Sequence, residues 1–361
     1  MVHKTYPTIH DIAHIAGVTP GTVSRALNES PLVNIDTKKR ILKIANELNY
    51  SPNLVARRLS VGKTFAIGVI VPFFTRPSVS ERLSGVVSVL SNSPYDLVIH
   101  NIENTKQRTV GFQDMLHKGR IDGALIISMP ILDEDIAFLR NADIPIVFID
   151  RKHPGLAAFD SINIDDISGG YKATKHLIDL GHRKIGFIGD ITEIYTKPND
   201  RSGSEKNPFR FTSSKDRYKG YLKALEEAGI PVCPDYYGED NHGHIEAKSM
   251  ALKMLRLPDP PSAIFAASDT QAFGVIQAAR EMDLSIPFDL SIIGFDDVQA
   301  AEFMELTTMR QMLYRSGQQG VKKLLDKITG SDSKSHQINI PTEIIVRKTT
   351  AAPHARVQVG I

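Results

Sequence analysis

Between Thr19 and Arg25 the chain reads Thr-Pro-Gly-Thr-Val-Ser-Arg. These residue types suit contact with a polyanion. Arg25 can present two parallel N–H donors to a guanine edge. Hydroxyl or amide groups at Thr8, Thr19, Asn28 and Thr37 can hold phosphate oxygens, which fixes position without reading sequence. Val23, Ala26 and Leu27 form one apolar side, leaving Thr22, Arg25 and Asn28 to point elsewhere. Pro20 and Gly21 offer no side-chain hydrogen bond to a base. Proline at a first helical position loses nothing, and glycine lets the backbone come close to a groove.

A second constellation lies further on. Asp150, Asp190, Asp269 and the pair Asp296-Asp297 each follow an apolar run ("IPIVFI", "KIGFIG", "AIFAAS", "LSIIGF"), and Arg217 stands in "KDRYKGY". A carboxylate or an arginine can each serve two adjacent hydroxyls, so their convergence would suit a polyhydroxylated ligand. For Asp269, capping the following helix or closing a turn is the simpler expectation. The adjacent pairs Asp165-Asp166 and Asp296-Asp297 do not set an acid and a base across a glycosidic bond. His242-Gly-His244 lacks an evident third metal ligand, and "GKT" at 62–64 has Arg57 where a phosphate-binding loop needs glycine. No Gly-x-Ser-x-Gly elbow or Gly-x-Gly-x-x-Gly turn occurs, so neither an enzyme, a metal site nor a bound cofactor is expected.

The elements that must position these residues follow from local pattern. Thr8-Ile-His-Asp11 reads as a capping box, with Ile12, Ala13 and Ala16 as the apolar face and Gly17 as the stop. Thr19-Pro20 opens a second helix, and a third begins near Asp36 with Ile41, Ile44, Ala45 and Leu48 facing inward. Together these make a helix-turn-helix head. In "NYSPNLVARRLSVGKT" (49–64), Asn53 can cap a stub of helix over 54–60, with Val55, Ala56 and Leu59 on its apolar side and Arg57 and Arg58 toward phosphate. So short a helix is marginal in water and should form only against DNA or a second copy. A leucine there can wedge into a minor-groove step; a plain linker is the alternative.

From Phe65 onward, apolar strand runs alternate with amphipathic stretches, the first expected over 80–92. This predicts parallel sheets with helices on both faces, split into two lobes because roughly 300 residues exceed one core. The fold class is therefore α/β: a three-helix head with a hinge helix, then a two-lobed body. Expected boundaries are 1–52 for the head, 53–63 for the hinge and 64–361 for the body. Within the body, lobe 1 takes 64–164 and 312–343, and lobe 2 takes 165–311 and 344–361.

Charge is uneven. Residues 1–62 hold eight basic and four acidic side chains, while the whole chain carries +2. A basic head on a faintly acidic body points to nucleic acid at one end. Cys233 is the only cysteine, which excludes an intrachain disulfide and suits a reducing cytoplasm. No apolar run could span a membrane, and the start shows no secretory cleavage pattern. A solute receptor or sugar-processing protein with an incidental head is the alternative, but it leaves head and hinge without a purpose.

"TIHDIAHIAGVTPGTVSRALN" and "ANELNYSPNLVARRLSVGKTFAIGVIVP" resemble the lactose-repressor/galactose-repressor (LacI/GalR) family of bacterial transcription regulators, as do "KHLIDLGHRKIGFIG", "LSIIGFDD", "LTTMRQ" and "IPTEIIVRKTT". The resemblance implies a periplasmic-binding-protein-like body, a homodimer on a near-palindromic operator in the bacterial cytoplasm at the nucleoid, and a small effector, a sugar or glycoside, between the lobes. It implies that Leu59 is the operator wedge, with Asn53, Ala56 and Arg57 beside it at the DNA. Pro20 and Gly21 fall on the family's variable specificity positions, where the best-known members carry a polar pair. Arg217 and Asp296 carry over as effector contacts, with Asp150, Ser268, Phe73 and Phe74 as further candidates; Ser268 replaces a frequent asparagine. The segment 190–214 is longer than the family's usual loop. It is expected to be either a lid whose Phe209 and Phe211 stack on a sugar, or a plain surface insertion. The ending 351–361 has no heptad pattern, so no tetramerising coiled coil is expected.

Overall fold

The computed structural model describes residues 7–27, 30–50, 62–103, 105–117, 119–190, 212–239, 243–331 and 336–354. Its contacts divide the chain into a head, Met1–Thr64, and a body, Phe65–Ile361.

The head packs α1 (Ile9–Ala16), α2 (Pro20–Leu27) and α3 (Ile35–Glu47) around Ile12, Ala13, Ala16, Val23, Ala26, Ile41, Ile44 and Ala45. Each fully buried Ile or Val here contributes about 1.5–3 kcal/mol. Asp11 caps α1 by accepting the Thr8 N–H at 2.7 Å and the Thr8 hydroxyl at 2.8 Å. These bonds hold its carboxyl below the ordinary carboxylate range. Thr8 and Asp11 thus form the reciprocal capping box that the sequence predicts. Gly17 ends α1 at φ 61°, ψ 38°, a left-handed geometry that a side chain would strain. Thr19 Oγ1 accepts the Thr22 N–H at 3.2 Å and opens α2. Asn34 caps α3 through the Asp36 N–H at 2.9 Å, placing Thr37 in the first turn.

Among the described residues, the body holds two six-stranded sheets of matching order. The first comprises β1 (Ala66–Pro72), β2 (Asp96–Ile102), β3 (Gly123–Ile127), β4 (Ile146–Ile149), β5 (Asp160–Ile164) and the late β11 (Gln337–Ile340), in the order β11-β5-β4-β3-β1-β2. The second comprises β6 (Ile185–Gly189), β7 (Tyr237–Glu239), β8 (Ala263–Ala266), β9 (Ser291–Asp296), β10 (Thr307–Arg310) and β12 (Glu343–Ile345), in the order β12-β10-β9-β8-β6-β7. Among the described residues, every pairing is parallel except β10 with β12. Strands such as β1, β3 and β9 are buried along their whole length, because helices cover both faces; this is why they read as continuous apolar runs.

Four helices matter for the site: α4 (Pro77–Leu90) and α12 (Leu313–Thr329) on the first sheet, α7 (Asp166–Asp179) and α8 (Thr212–Glu227) on the second. The first body helix thus starts at Pro77, a favoured first helical position, and not at residue 80. Short strands also form at β5, β7, β10, β11 and β12, which the apolar pattern does not predict. No helix among the described residues is long and apolar enough to cross a membrane.

Candidate functional site

In the head, the outer side of α2 carries Gly21 and Arg25, both exposed and one helical turn apart, with Thr19 at its start. A Cβ on Gly21 would meet only the Thr19 hydroxyl, at 3.8 Å, so the backbone is open to close approach there. Thr19 and Thr22 hydroxyls lie 3.0 Å apart and bond each other. Pro20 sits at the first helical position, as its missing N–H allows. Asn28 and the hinge residues Asn53, Ala56, Arg57 and Leu59 lie outside the described residues.

In the body, the carboxyl ends of strands from both sheets meet at one cavity of about 40 Å³. Pro72 ends β1, Ser128 follows β3, Asp150 follows β4, Asp190 follows β6, Asp296 ends β9 and Gln311 follows β10. Both sheets therefore aim the same edge at the same place, as open α/β sheets do for ligands. A roomier hollow of about 710 Å³ lies among Ile276, Leu284, Ile286 and Phe288; of its charged lining residues, Glu305 and Lys348 are paired with each other at 2.6 Å and Arg280 completes the set.

Several backbones are turned sharply there. Phe73 (φ 48°), Ser128 (φ 48°), Asp150 (φ 56°), Asp296 (φ 130°), Asp297 (φ 58°) and Met312 (φ 51°) adopt conformations that L side chains rarely take. Such positions cost about 1–3 kcal/mol each and cluster where side chains must be re-aimed for function.

Two buried arginines organise the lining. Arg217, on α8, donates from Nε to Asp166 Oδ1 at 2.8 Å and from Nη1 to the Ala267 carbonyl at 2.6 Å. Its Nη1 lies 3.6 Å from Asp296, and its guanidinium stacks 3.8 Å above the Phe295 ring. A Cβ on Gly170 of α7 would sit 2.0 Å from the Arg217 carbonyl; the glycine lets α7 and α8 close on each other. Burial opposes the Arg217 charge, but Asp166, Asp296 and Asp150 outweigh it and raise its pKa. Burial pushes Asp166 up to about 7 although Arg217 pulls the other way.

Arg82, on α4, is the counterpart and is 2 % exposed. Its Nη2 lies 2.9 Å from Asp150 and donates to Gln311 Oε1 at 2.7 Å. Nη1 donates to Ser128 Oγ at 3.0 Å and Nε to Ser316 Oγ at 3.3 Å. Ser128 in turn donates to Asp150 at 2.8 Å. Gly317 of α12 faces the Arg82 carbonyl, where a Cβ would stand 2.0 Å away.

Of the sequence-expected effector residues, Asp150, Arg217 and Asp296 line this cavity. Ser268, Phe73 and Phe74 do not. Ser268 caps α10 (Asp269–Glu281) by accepting the Gln271 N–H at 3.2 Å, and it is fully buried. Phe73 turns toward the first-lobe core under the Arg76 guanidinium, 4.2 Å from its ring, and Phe74 is 42 % exposed. Asp269 is not an N-cap. It ties the Val298 N–H (2.9 Å) and the Thr308 hydroxyl (2.5 Å) together, and burial with Asp296 nearby raises it to about 8. Asp190 accepts from Ser214 and lines the cavity. Phe209 and Phe211 lie outside the described residues. Arg82, Asp166, Ser128 and Gln311 went unread as site residues. The signal for Arg82 was an arginine on the buried stripe of Val79, Leu83, Val86 and Leu90, where a charge is costly unless paired.

A basic helix-turn-helix head and a cleft fed by the strand ends of two matching sheets define a ligand-responsive DNA-binding regulator. Comparison with known proteins gives the family. Residues 8–53 match the bacterial regulatory proteins of the lacI family, and 174–350 match a periplasmic binding protein-like domain. The chain is 35% identical over 349 residues to the HTH-type transcriptional repressor PurR of Haemophilus influenzae (strain PittEE), covering 95% of this chain and 98% of that one. It is 33% identical over 350 residues to the repressor of the same name from Pasteurella multocida, with the same coverage. Among solved structures, the lac repressor dimer bound to operator and the anti-inducer ONPF is 25% identical with a TM-score of 0.82, covering 96% of this chain and 100% of that one. The transcriptional regulator CelR in complex with cellobiose is 26% identical with a TM-score of 0.67, covering 95% and 99%. The chain belongs to the LacI family; it is a DNA-binding transcriptional repressor and not an enzyme.

Proposed function

We propose that the protein is a cytoplasmic, nucleoid-associated repressor that binds a near-palindromic operator as a homodimer and answers to a small polyhydroxylated ligand, a sugar or glycoside, held between its lobes. The observation that carries the ligand class is the cleft lining: Asp150, Asp190 and Asp296 as acceptors, with Ser128, Ser214 and Gln311 among them. Vicinal hydroxyls both donate and accept, and they match such a mixed lining. The structural neighbour with cellobiose named as bound supports the same class. Arg25 reads a base edge, Gly21 permits close approach, and Thr8, Thr19, Asn28 and Thr37 position the phosphates. Leu59, flanked by Asn53, Ala56 and Arg57, acts at the operator centre. Two-fold symmetry of the dimer dictates the two half-sites.

A second reading, a ligand that is not a sugar, is favoured by the curated relatives at 33–35% identity, which carry the name PurR and no sugar's name. The exposed ring of Phe74, two residues past the cleft-lining Pro72, would offer a face to a flat nitrogen heterocycle. Titration calorimetry with cellobiose, lactose and ribose beside adenine, guanine and hypoxanthine separates the two. Saturable heat from a sugar, lost in Asp296→Asn, supports the first reading; saturable heat from a nucleobase alone replaces it with the second.

A further inference from the structure

One line of buried polar side chains runs through the cleft from lobe to lobe. It begins at Asp150, passes through Arg82 to Gln311, and continues through Asp296 and Arg217 to Asp166. Gln311 belongs to neither sheet. It lies on the short crossover between β10 of the second sheet and α12 on the first, accepts from Arg82 and donates to Asp296. One residue before Arg82, Glu81 Oε1 accepts the Gln299 N–H at 2.8 Å, at the start of α11 (Gln299–Phe303) in the second lobe. Adjacent residues of one first-lobe helix therefore reach the second lobe at two points.

The space around this line is small. The cavity of about 40 Å³ is far below the roughly 300 Å³ that a drug-sized ligand pocket requires. A sugar must part the lobes and take places now held by the chain's own groups. Arg82 stands at that point with bonds to Asp150, Gln311, Ser128 and Ser316, a planar fork engaged on every side.

We propose that Arg82 is the positioning residue that couples the two lobes: it holds Gln311, and through it Asp296, against the first lobe, and a ligand taking Asp150 or Asp296 releases that hold. Only the last step rests on the cleft being the effector site; the coupling itself is a property of the protein alone.

Two variants test it. Arg82→Lys keeps a cation beside Asp150 but cannot span Asp150, Ser128 and Gln311 together. Arg82→Met with Asp150→Asn removes both charges, so no buried carboxylate is left alone. Spin labels at Asp133→Cys in the first lobe, where the side chain is 99% exposed, and at the exposed Glu226→Cys in the second report the lobe separation. Both are placed in a full-length Cys233→Ser background. The proposal expects a single narrow distance in the parent and an added longer-distance population in both variants. Operator affinity without added ligand should change about 5-fold or more, while each variant still unfolds in a single cooperative transition. Parent-like distances and operator affinity in folded variants would overturn it and reduce Arg82 to a local neutraliser of Asp150. If no sugar binds the parent while the variants still open, the sugar reading fails and the coupling stands. If sugars bind and the variants stay closed, the coupling alone fails.

Discussion

Each lobe brings one buried arginine to the cleft, and the two are held differently. Arg217 is closed within its own lobe: Asp166, Ala267 and Asp296 all belong to the second sheet or its helices, and Phe295 carries the guanidinium. Arg82 has one carboxylate, two serines and a crossover glutamine, and so reaches beyond its lobe. Both are seated by a glycine on the opposing helix, Gly170 and Gly317. The shared construction places a guanidinium at the strand ends. The difference in partners makes one a fixture of the cleft wall and the other a link to the neighbouring lobe.

The largest expected difference between the two arginines is in stability. Arg217→Met strands two buried carboxylates, Asp166 and Asp296, and should cost about 3–5 kcal/mol, read by chemical denaturation. Arg82→Met strands only Asp150 and should cost less; equal losses would erase the distinction. Next come the glycines. Gly170→Ala and Gly317→Ala each force a Cβ against a backbone carbonyl 2.0 Å away and should cost about 1–3 kcal/mol each. The second should also widen the distribution of lobe separations, whereas the first should not.

A pH effect of smaller size separates the lobes further. Asp166, raised to about 7, and Asp269, raised to about 8, both lie in the second lobe. Their folded forms hold the proton more tightly than an unfolded aspartate with a pKa of about 3.9. Their contribution to stability is fully present below that value and is lost as pH rises through about 7 to 8. Asp269→Asn should therefore shrink the stability difference between pH 5 and pH 8. An unchanged difference would mean that Asp269 folds already ionised. In the head, Arg25→Ala should cost about 1–3 kcal/mol of discrimination at one base pair, read by binding to operator variants.

Much of this was legible in the sequence, for identifiable reasons. The head's first two helices follow from local chemistry: Asp11 three residues after Thr8, Gly17 at a left-handed stop and Thr19 before Pro20. The fully covered strands were legible as apolar runs. Short or mixed strands were not: β5 reads Asp-Ser-Ile-Asn-Ile, and its Asp160 is paired by Lys323 and Lys327 from distant chain. The site divided in the same way. Asp150 and Asp296 end strands and announce themselves. Arg82 lies inside a helix, and its partners are 46 to 234 residues away in sequence. Ser268 shows the converse, a strand-end polar residue used up by capping the next helix.

The most direct test is a titration of operator binding. DNA fragments captured by the full-length protein at physiological salt would be sequenced for a shared near-palindrome. The best fragment would then be bound in the presence of the sugar and nucleobase panel, with wild type, Asp150→Asn and Asp296→Asn. The expected result is a shared near-palindromic site, a ligand that shifts operator affinity, and loss of that shift in both variants. A shift that persists undiminished in both would place the effector elsewhere and contradict the cleft as the site of control.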